Sequence, residues 1–409
     1  MKILFIVPYI PSRIRIRSFE FIRWLGILGH SVTVATQWHD LSELDDLQEV
    51  RKICDQVMVG SMPAWKSIVN SAFALPGSDP LQSVYSWNPI FARQLLDLIR
   101  INDHQIPFDI IHVEHLRGAR FGLYLQKHGR IPIVWDSVDC ISHLFKQSSM
   151  TNPSQFKKII NQLELPRTKK FEQKLLHAFS RVLVSSSIDR HALMDLDHDD
   201  ITPADIRVIT NGVDLDYFSP ADDVRLKDTL VISGKMSYHA NTHMVLHLVN
   251  DIMPLVWARR PSVRLLVVGK DPPNSIQRLA EDPRITVTGR VDDIRPYLWQ
   301  AAISVAPLGY GAGVQNKVLE AMACATPVVA SPLAVSALNV KNGEQVLVAK
   351  SPEEFSSAIF YLLEDSTHAE AIGQAGRKYV EMNHQWHGII KDLESIYSEI
   401  ICDERGNPS

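Results

Sequence analysis

Short apolar runs, too brief to be helices, alternate with longer stretches of helical period from one end of this chain to the other. That alternation is the signature of parallel sheets, whose strands are covered on both faces by crossover helices and so read as continuous apolar runs. Strands are expected at 2–7, 31–36, 56–60, 109–114, 131–135, 181–185 and 206–209. A second series follows Pro220, at 229–233, 263–268, 284–288, 302–306, 326–330 and 345–348. A helix is expected over 17–29, with Phe21, Leu25 and Leu28 at helical spacing and Gly29 ending it. Another spans 241–259, stopped at Arg260-Pro261. The stretch 61–90 carries four prolines and two tryptophans without a clear period, and reads as an irregular acceptor-side insertion.

At 409 residues the chain exceeds one ordinary core and suits two domains. The pattern divides it into 1–212 and 213–380, with 381–409 holding a terminal helix around 386–402 that returns to the first domain. Ligands of doubly wound sheets sit beyond the carboxyl ends of the strands, so two such α/β domains form a cleft. A formal charge of −4 argues against a nucleic-acid binder. Cys54, Cys140, Cys324 and Cys402 form no C-x-x-C pair, which disfavours a metal or redox centre and suits a reducing cytoplasm. The apolar start, ending at Pro8, is too short for a signal peptide or a membrane span and reads as a buried strand.

One stretch carries the chemistry: Ala306-Pro-Leu-Gly-Tyr-Gly-Ala-Gly-Val-Gln-Asn-Lys-Val-Leu-Glu-Ala-Met-Ala323. A strand ends in a loop with Gly309, Gly311 and Gly313, and a helix begins near Val314 and Gln315. Glycines let the backbone approach a ligand closely, and a helix start offers amides and a positive dipole end to phosphate. Lys317 adds a cation, and Glu320, at i+3, could accept ribose hydroxyls. The bland alternative is a glycine-rich turn with a surface Lys–Glu pair. In the first half, Arg13, Arg15 and Arg17 follow the first strand, where Arg15 or Arg17 would bind phosphate. His112 lies inside an apolar run as a core histidine, whereas Glu114 and His115 end it as candidates for acceptor binding. Asp136 and Asp139 follow the next strand, where they could position an acceptor hydroxyl or take its proton, or merely cap a helix. Residues 154–177 carry Lys157, Lys158, Arg167, Lys169, Lys170 and Lys174 against Glu164 and Glu172. With the Arg-rich segment 13–23, this suggests peripheral contact with an anionic membrane.

Several stretches together resemble glycosyltransferase family 4, and within it the bacterial branch associated with exopolysaccharide export. They are Val208-Ile-Thr-Asn-Gly-Val-Asp-Leu-Asp-Tyr-Phe-Ser-Pro220, Ser233-Gly-Lys-Met-Ser-Tyr-His-Ala-Asn241, Val267-Val-Gly-Lys270, Val287-Thr-Gly-Arg-Val291 and Gln315-Asn-Lys-Val-Leu-Glu-Ala-Met-Ala323. The resemblance implies the GT-B fold, with two facing Rossmann-like domains. It implies transfer of a hexosyl unit, with retained configuration and no metal, from a nucleoside-diphosphate sugar to a hydroxyl of a saccharide, lipid-linked or other acceptor. It puts the base beside Gly289, Arg290 and Val291, and the diphosphate near Gly234, Lys235 and Lys317. The chain departs from the family in four places. The first loop, within 6–17, carries Arg13, Arg15 and Arg17 in place of the family's usual glycine pair. The first of two family glutamates falls at Ala312. A diphosphate-holding Arg and Lys read Lys235 and Asn241. Asp136 and Asp139 stand where many members carry a histidine. Rival readings are a nucleotide-sugar epimerase of the same architecture and a catalytically silent assembly partner. A dehydrogenase is disfavoured because neither first strand is followed by G-x-G-x-x-G.

Overall fold

A computed structural model describes residues 1–40, 43–100, 107–151, 155–197, 203–221, 225–311 and 313–406. The chain divides into two compact units, Met1–Thr210 with Trp386–Ser409, and Asn211–Gln385. The first division falls two residues before the expected 212/213. The second falls at 385/386 rather than 380/381, because Tyr379 and Val380, near the end of the Ser366–Asn383 helix, sit in the second unit's core.

The first unit holds a seven-stranded, all-parallel sheet. Its strands are β1 (Lys2–Val7), β2 (Ser31–Trp38), β3 (Gln56–Ser61), β4 (Ile110–Glu114), β5 (Ile133–Val138), β6 (Arg181–Val184) and β7 (Ile206–Val208), in the order β3-β2-β1-β4-β5-β6-β7. The strand order reverses between β1 and β4, which opens a crevice beyond their carboxyl ends. The helix Ile16–Ile27 and the C-terminal helix Trp386–Gly406 cover one face. Phe21 and Trp386 meet there edge to face, 6.0 Å between ring centres.

The second unit holds a six-stranded, all-parallel sheet: β8 (Leu226–Ser233), β9 (Arg264–Val268), β10 (Ile285–Gly289), β11 (Ala301–Ala306), β12 (Val328–Ala330) and β13 (Leu347–Val348), in the order β10-β9-β8-β11-β12-β13. Its reversal lies between β8 and β11. The helix expected over 241–259 runs from His239 to Arg259 but is interrupted at Leu248–Ile252 by a π-turn. Pro254 explains the break, since it has no N–H for the regular ladder.

The expectation of an irregular insertion over 61–90 is corrected: it contains the helices Ala64–Ala74 and Leu81–Tyr85, and Pro89 opens a third, Pro89–Ile99. Pro63 and Pro80 stand at helix N-caps and Pro89 in a first turn, where a missing N–H goes unneeded. The prolines punctuate helices here.

Candidate active site

In the second unit, three backbone segments converge at the β8/β11 reversal. Gly234 (φ 145°) follows β8 and Gly269 (φ 154°) follows β9. A Cβ on Gly269 would overlap the Gly234 carbonyl oxygen, and one on Gly234 would come within 2.8 Å of Asn241 Nδ2. Both positions therefore need glycine for space as well as for φ. Beside them the helix Asn316–Ala323 begins after Gly313 (φ 66°), with Val314 buried and Gln315 at its N-cap. Gly311 is buried against Leu308, and Ala312 lies outside the described residues.

Lys317 reaches back from the first turn of that helix. Its Nζ donates to Asn241 Oδ1 at 2.5 Å, while Asn241 Nδ2 donates to the Lys235 carbonyl at 2.9 Å. Burial drives the Lys317 ammonium down to about 8, and attraction from Glu320 opposes this incompletely. Burial likewise pushes Glu320 up to about 7 against the pull of Lys317. Lys317 and Asn241 thus meet beside Gly234, where the resemblance implied a diphosphate. Lys235 itself is exposed. Sequence reasoning missed four neighbours. Ser233, buried at the end of β8, has a hydroxyl without a hydrogen-bond partner. His239 stacks on Tyr310 (5.3 Å) and bonds its hydroxyl at 2.9 Å, and His243 lies against the same ring and Gly309. The signal was available: 239 and 243 are one helical turn apart, on the helix that follows the β8 loop.

At the end of β10, Gly289 (φ 68°) turns the chain into a depression of about 480 Å³ lined by Arg290, Val291, Asp293 and Tyr297. Arg290 is exposed. Asp293 is held by Arg295 and by the Tyr217 hydroxyl, so the rim is ordered by ion pairing.

In the first unit, the β1/β4 reversal holds a buried ionic chain. Arg17, 5% exposed, grips the fully buried Asp136 with Nε at 2.8 Å and Nη2 at 3.2 Å, and donates Nη1 to the Ile209 carbonyl at 2.7 Å. His112 Nε2 stands 3.6 Å from Asp136, and its Nδ1 meets the Tyr397 hydroxyl at 2.7 Å. Burial alone would raise the Asp136 carboxyl, but Arg17 and His112 bring it down to about 2. Two expectations need correction. Arg17 is not available to a phosphate, because its guanidinium is committed to Asp136 and backbone carbonyls. Asp136 is not an open carboxylate for an acceptor, because it is buried and its oxygens accept from Arg17.

Glu114, at the end of β4, is different. Burial and the neighbouring Asp136 raise its carboxyl to about 7, although the Tyr9 hydroxyl donates to Oε1. Its buried Oε2 has no hydrogen-bond partner. His115 follows with φ 63°, and burial and Arg117 lower its imidazole to about 3. Val138, at the end of β5, also has positive φ (67°). Such strain in β-branched or bulky residues collects at functional sites. Asp139 is half-buried, accepts from Ser185 Oγ at 3.2 Å, and is pushed up by burial and by Asp189. Arg15 pairs with Glu43 at 3.1 Å and lies over the Tyr9 ring. Arg117, missed in the sequence, lies over Tyr85 at 4.9 Å with its Nε buried and unpartnered. Its place two residues past His115 was the only hint.

Two stretches with the D-x-D spacing of some metal sites, Asp195-Leu-Asp197 and Asp214-Leu-Asp216, serve the backbone: Asp214 accepts from the Asp216 and Tyr217 amides, and Asp197 from the Ala204 amide. Among the described residues, no cluster of three or more His, Cys, Asp or Glu side chains could hold a metal, and no helix is long and apolar enough to cross a membrane.

Comparison with known proteins agrees with this architecture. Residues 17–217 match the model described as Glycosyltransferase Family 4, and residues 227–365 match the one described as Glycosyl transferases group 1. The chain is 22% identical to the D-inositol 3-phosphate glycosyltransferase of Corynebacterium aurimucosum over 329 residues, covering 73% of this chain and 74% of that protein. It is 30% identical to the Mycobacterium enzyme of the same name over 186 residues, 42% of each. Among solved structures, the fold matches sucrose-phosphate synthase from Thermosynechococcus elongatus with a TM-score of 0.71, at 18% identity and over 98% and 100% of the two chains. It also matches Anabaena HepE, solved with UDP and glucose, with a TM-score of 0.69, at 16% identity and over 98% and 100%. With two all-parallel Rossmann-like sheets and both matched models, the chain is a glycosyltransferase of the family 4 type, built on the GT-B fold.

Proposed function

We propose that this glycosyltransferase moves a hexosyl unit from a nucleoside-diphosphate sugar to a hydroxyl of a saccharide or lipid-linked acceptor, with retained configuration, in cell-surface polysaccharide or glycoconjugate synthesis. One observation carries the donor reading: Lys317 is half-buried at a helix start beside Gly234, and its Nζ is held by the neutral amide of Asn241. A diphosphate there would supply the missing counter-charge, and the charge it gains as the sugar departs would be stabilised by Lys317, Lys235 and the helix amides. Glu320, one turn along, would take the ribose hydroxyls, and the base would lie against Gly289–Val291. Anabaena HepE, solved with UDP and glucose, supports a nucleotide donor.

On the acceptor side Glu114 replaces Asp136 as the preferred group. Its oxygen is unpartnered and its proton affinity sits near neutrality, where a group can either accept or return a proton. Asp139 is its second. The reading requires no metal, so turnover should persist in excess chelator. Loss of turnover with EDTA that Mg²⁺ or Mn²⁺ restores would overturn that point. Calorimetry with nucleoside diphosphates and their free nucleosides tests the donor site. The diphosphates should bind far better, and the advantage should vanish in Lys317→Ala.

A further inference from the structure

The helix Ala64–Ala74 is built inside out. Its one buried residue is Ser67, and Asn70 turns inward to donate to the Val84 and Trp87 carbonyls at 3.0 and 2.8 Å. Trp65, Ile68, Val69 and Phe73 face water instead, 62%, 65%, 41% and 82% exposed. They stand at the i, i+3, i+4, i+8 spacing of one apolar stripe, the spacing that normally marks a core-facing surface. Leu75, also exposed, extends it. Single exposed apolar residues need no explanation, but a contiguous stripe marks a binding surface.

The neighbouring helix Gln155–Leu176 extends the surface. Arg167 Nη2 donates to the Leu75 carbonyl at 2.6 Å, and Glu164 accepts from the Leu81 amide at 2.7 Å. Residues 160, 163, 167, 170 and 174 follow one another by three or four along that helix and share one face. Ile160 and Leu163 are exposed at its start, and Lys170 and Lys174 towards its end. Lys66 stands beside the Trp65 ring, 5.7 Å from its centre. The acidic neighbours are neutralised within the protein: Glu164 is buried against Arg167, and Asp79 pairs with Arg120.

We infer that this face, Trp65, Ile68, Val69 and Phe73 flanked by Lys66, Lys170 and Lys174, seats in the interfacial zone of an anionic membrane. An apolar helix face carrying aromatic residues, with cations on its flank, meets both requirements of such a surface: buried area and attraction to anionic headgroups. The surface differs from the expected one in its other half. Within 13–23, Arg17 is buried and Arg15 and Arg23 are ion-paired, while the Lys157 and Lys158 side chains lie outside the described residues. The insertion also carries Tyr85, whose ring lies under Arg117.

Sedimentation of the full chain with vesicles, without nucleotide, tests this. Binding to phosphatidylcholine vesicles containing phosphatidylglycerol should exceed binding to pure phosphatidylcholine and weaken with salt. Trp65→Ser/Ile68→Ser/Phe73→Ser should reduce partitioning by about a hundredfold or more, with an unchanged circular-dichroism melt. Lys170→Glu/Lys174→Glu should reduce it by about tenfold. In the unmodified chain, lipids brominated in their acyl tails should quench a fluorescence component that Trp65→Phe removes. Equal sedimentation of the triple variant, or no binding of the unmodified chain to either vesicle, would overturn the proposal. So would a concentration-dependent dimer in ultracentrifugation that the triple variant abolishes. None of these outcomes touches the donor reading, since no nucleotide is present.

Discussion

The two sheets reverse their strand order in the same way, but the two crevices so formed carry charge differently. At the β1/β4 reversal the protein neutralises itself: Arg17 and Asp136 make a two-point ion pair, and His112 and Tyr397 complete the chain. At the β8/β11 reversal it does not. Lys317 rests on a neutral amide, and the carboxylate of Glu320 offsets only part of its burial. A buried pair is a finished structural element, costly to break because the survivor is stranded. A half-buried cation held only by a neutral amide is unfinished, and an anionic ligand completes it. The first crevice is therefore a rigid platform, with Glu114 Oε2 and Arg117 Nε as its unpartnered atoms, whereas the second is the half that a phosphate would complete.

The sharpest way to break this comparison is to treat both crevices alike. Arg17→Ala leaves Asp136 buried and unpaired and should destabilise the first unit by about 3–5 kcal/mol in denaturant unfolding. Nucleoside-diphosphate affinity, which the proposed donor site assigns to the other unit, should stay within about twofold. Lys317→Ala should behave in the opposite way. It removes a desolvated cation and spares the fold, while turnover drops by about 10- to 1000-fold, an electrostatic contribution of a few kcal/mol. Nucleoside diphosphate should weaken far more than free nucleoside. If Lys317→Ala unfolds the protein while Arg17→Ala spares it, the roles of the two crevices are reversed.

Much of this was legible in the sequence, for reasons tied to particular residues. The strands were visible because a parallel sheet covered on both faces favours continuous apolar runs, and β1, from Ile3 to Val7, is such a run. Gly234 and Gly269 were legible only through the stretches that resemble the family, and the structure supplies the physical reason: their backbones cross too closely for a Cβ. What remained hidden was pairing across long separations. Nothing near Arg17 announces Asp136, which is 119 residues away, and nothing near His112 announces Tyr397. Position alone placed Arg17 and Asp136 at a site, and position could not say that each would consume the other. The Ala64–Ala74 helix was hidden for the opposite reason. Its stripe is present in the sequence, but it points away from the core, so it was not read as a helical face.

A gentler probe sharpens the second crevice alone. If Glu320 takes ribose hydroxyls, Glu320→Ala should weaken nucleotide binding by about 1.5–3 kcal/mol, the scale of hydrogen bonds to a charged group. Free nucleoside and nucleoside diphosphate should suffer equally, because the ribose is common to both. A loss confined to the diphosphate would move Glu320 from the ribose to the positioning of Lys317.

The smallest effect is also the most specific. Burial lowers Lys317 from an ordinary 10.5 to about 8 in the empty protein. The folded state therefore releases that proton earlier than the unfolded chain does. From this group alone, ligand-free stability should rise as pH climbs from about 8 towards 10.5, where the unfolded chain still holds the proton. Ligand binding has the opposite sign. A diphosphate requires the ammonium, so affinity should fall as pH rises through about 8, by at most tenfold per pH unit for one proton. The acid side is a poorer test, since a terminal phosphate itself titrates near pH 6, give or take about a unit. Lys317→Arg settles the assignment, because a guanidinium stays charged across the whole alkaline range. Affinity at neutral pH should change only modestly, and the decline above pH 8 should disappear. If the decline persists in Lys317→Arg, the titrating group lies elsewhere and Lys317 does not hold the diphosphate.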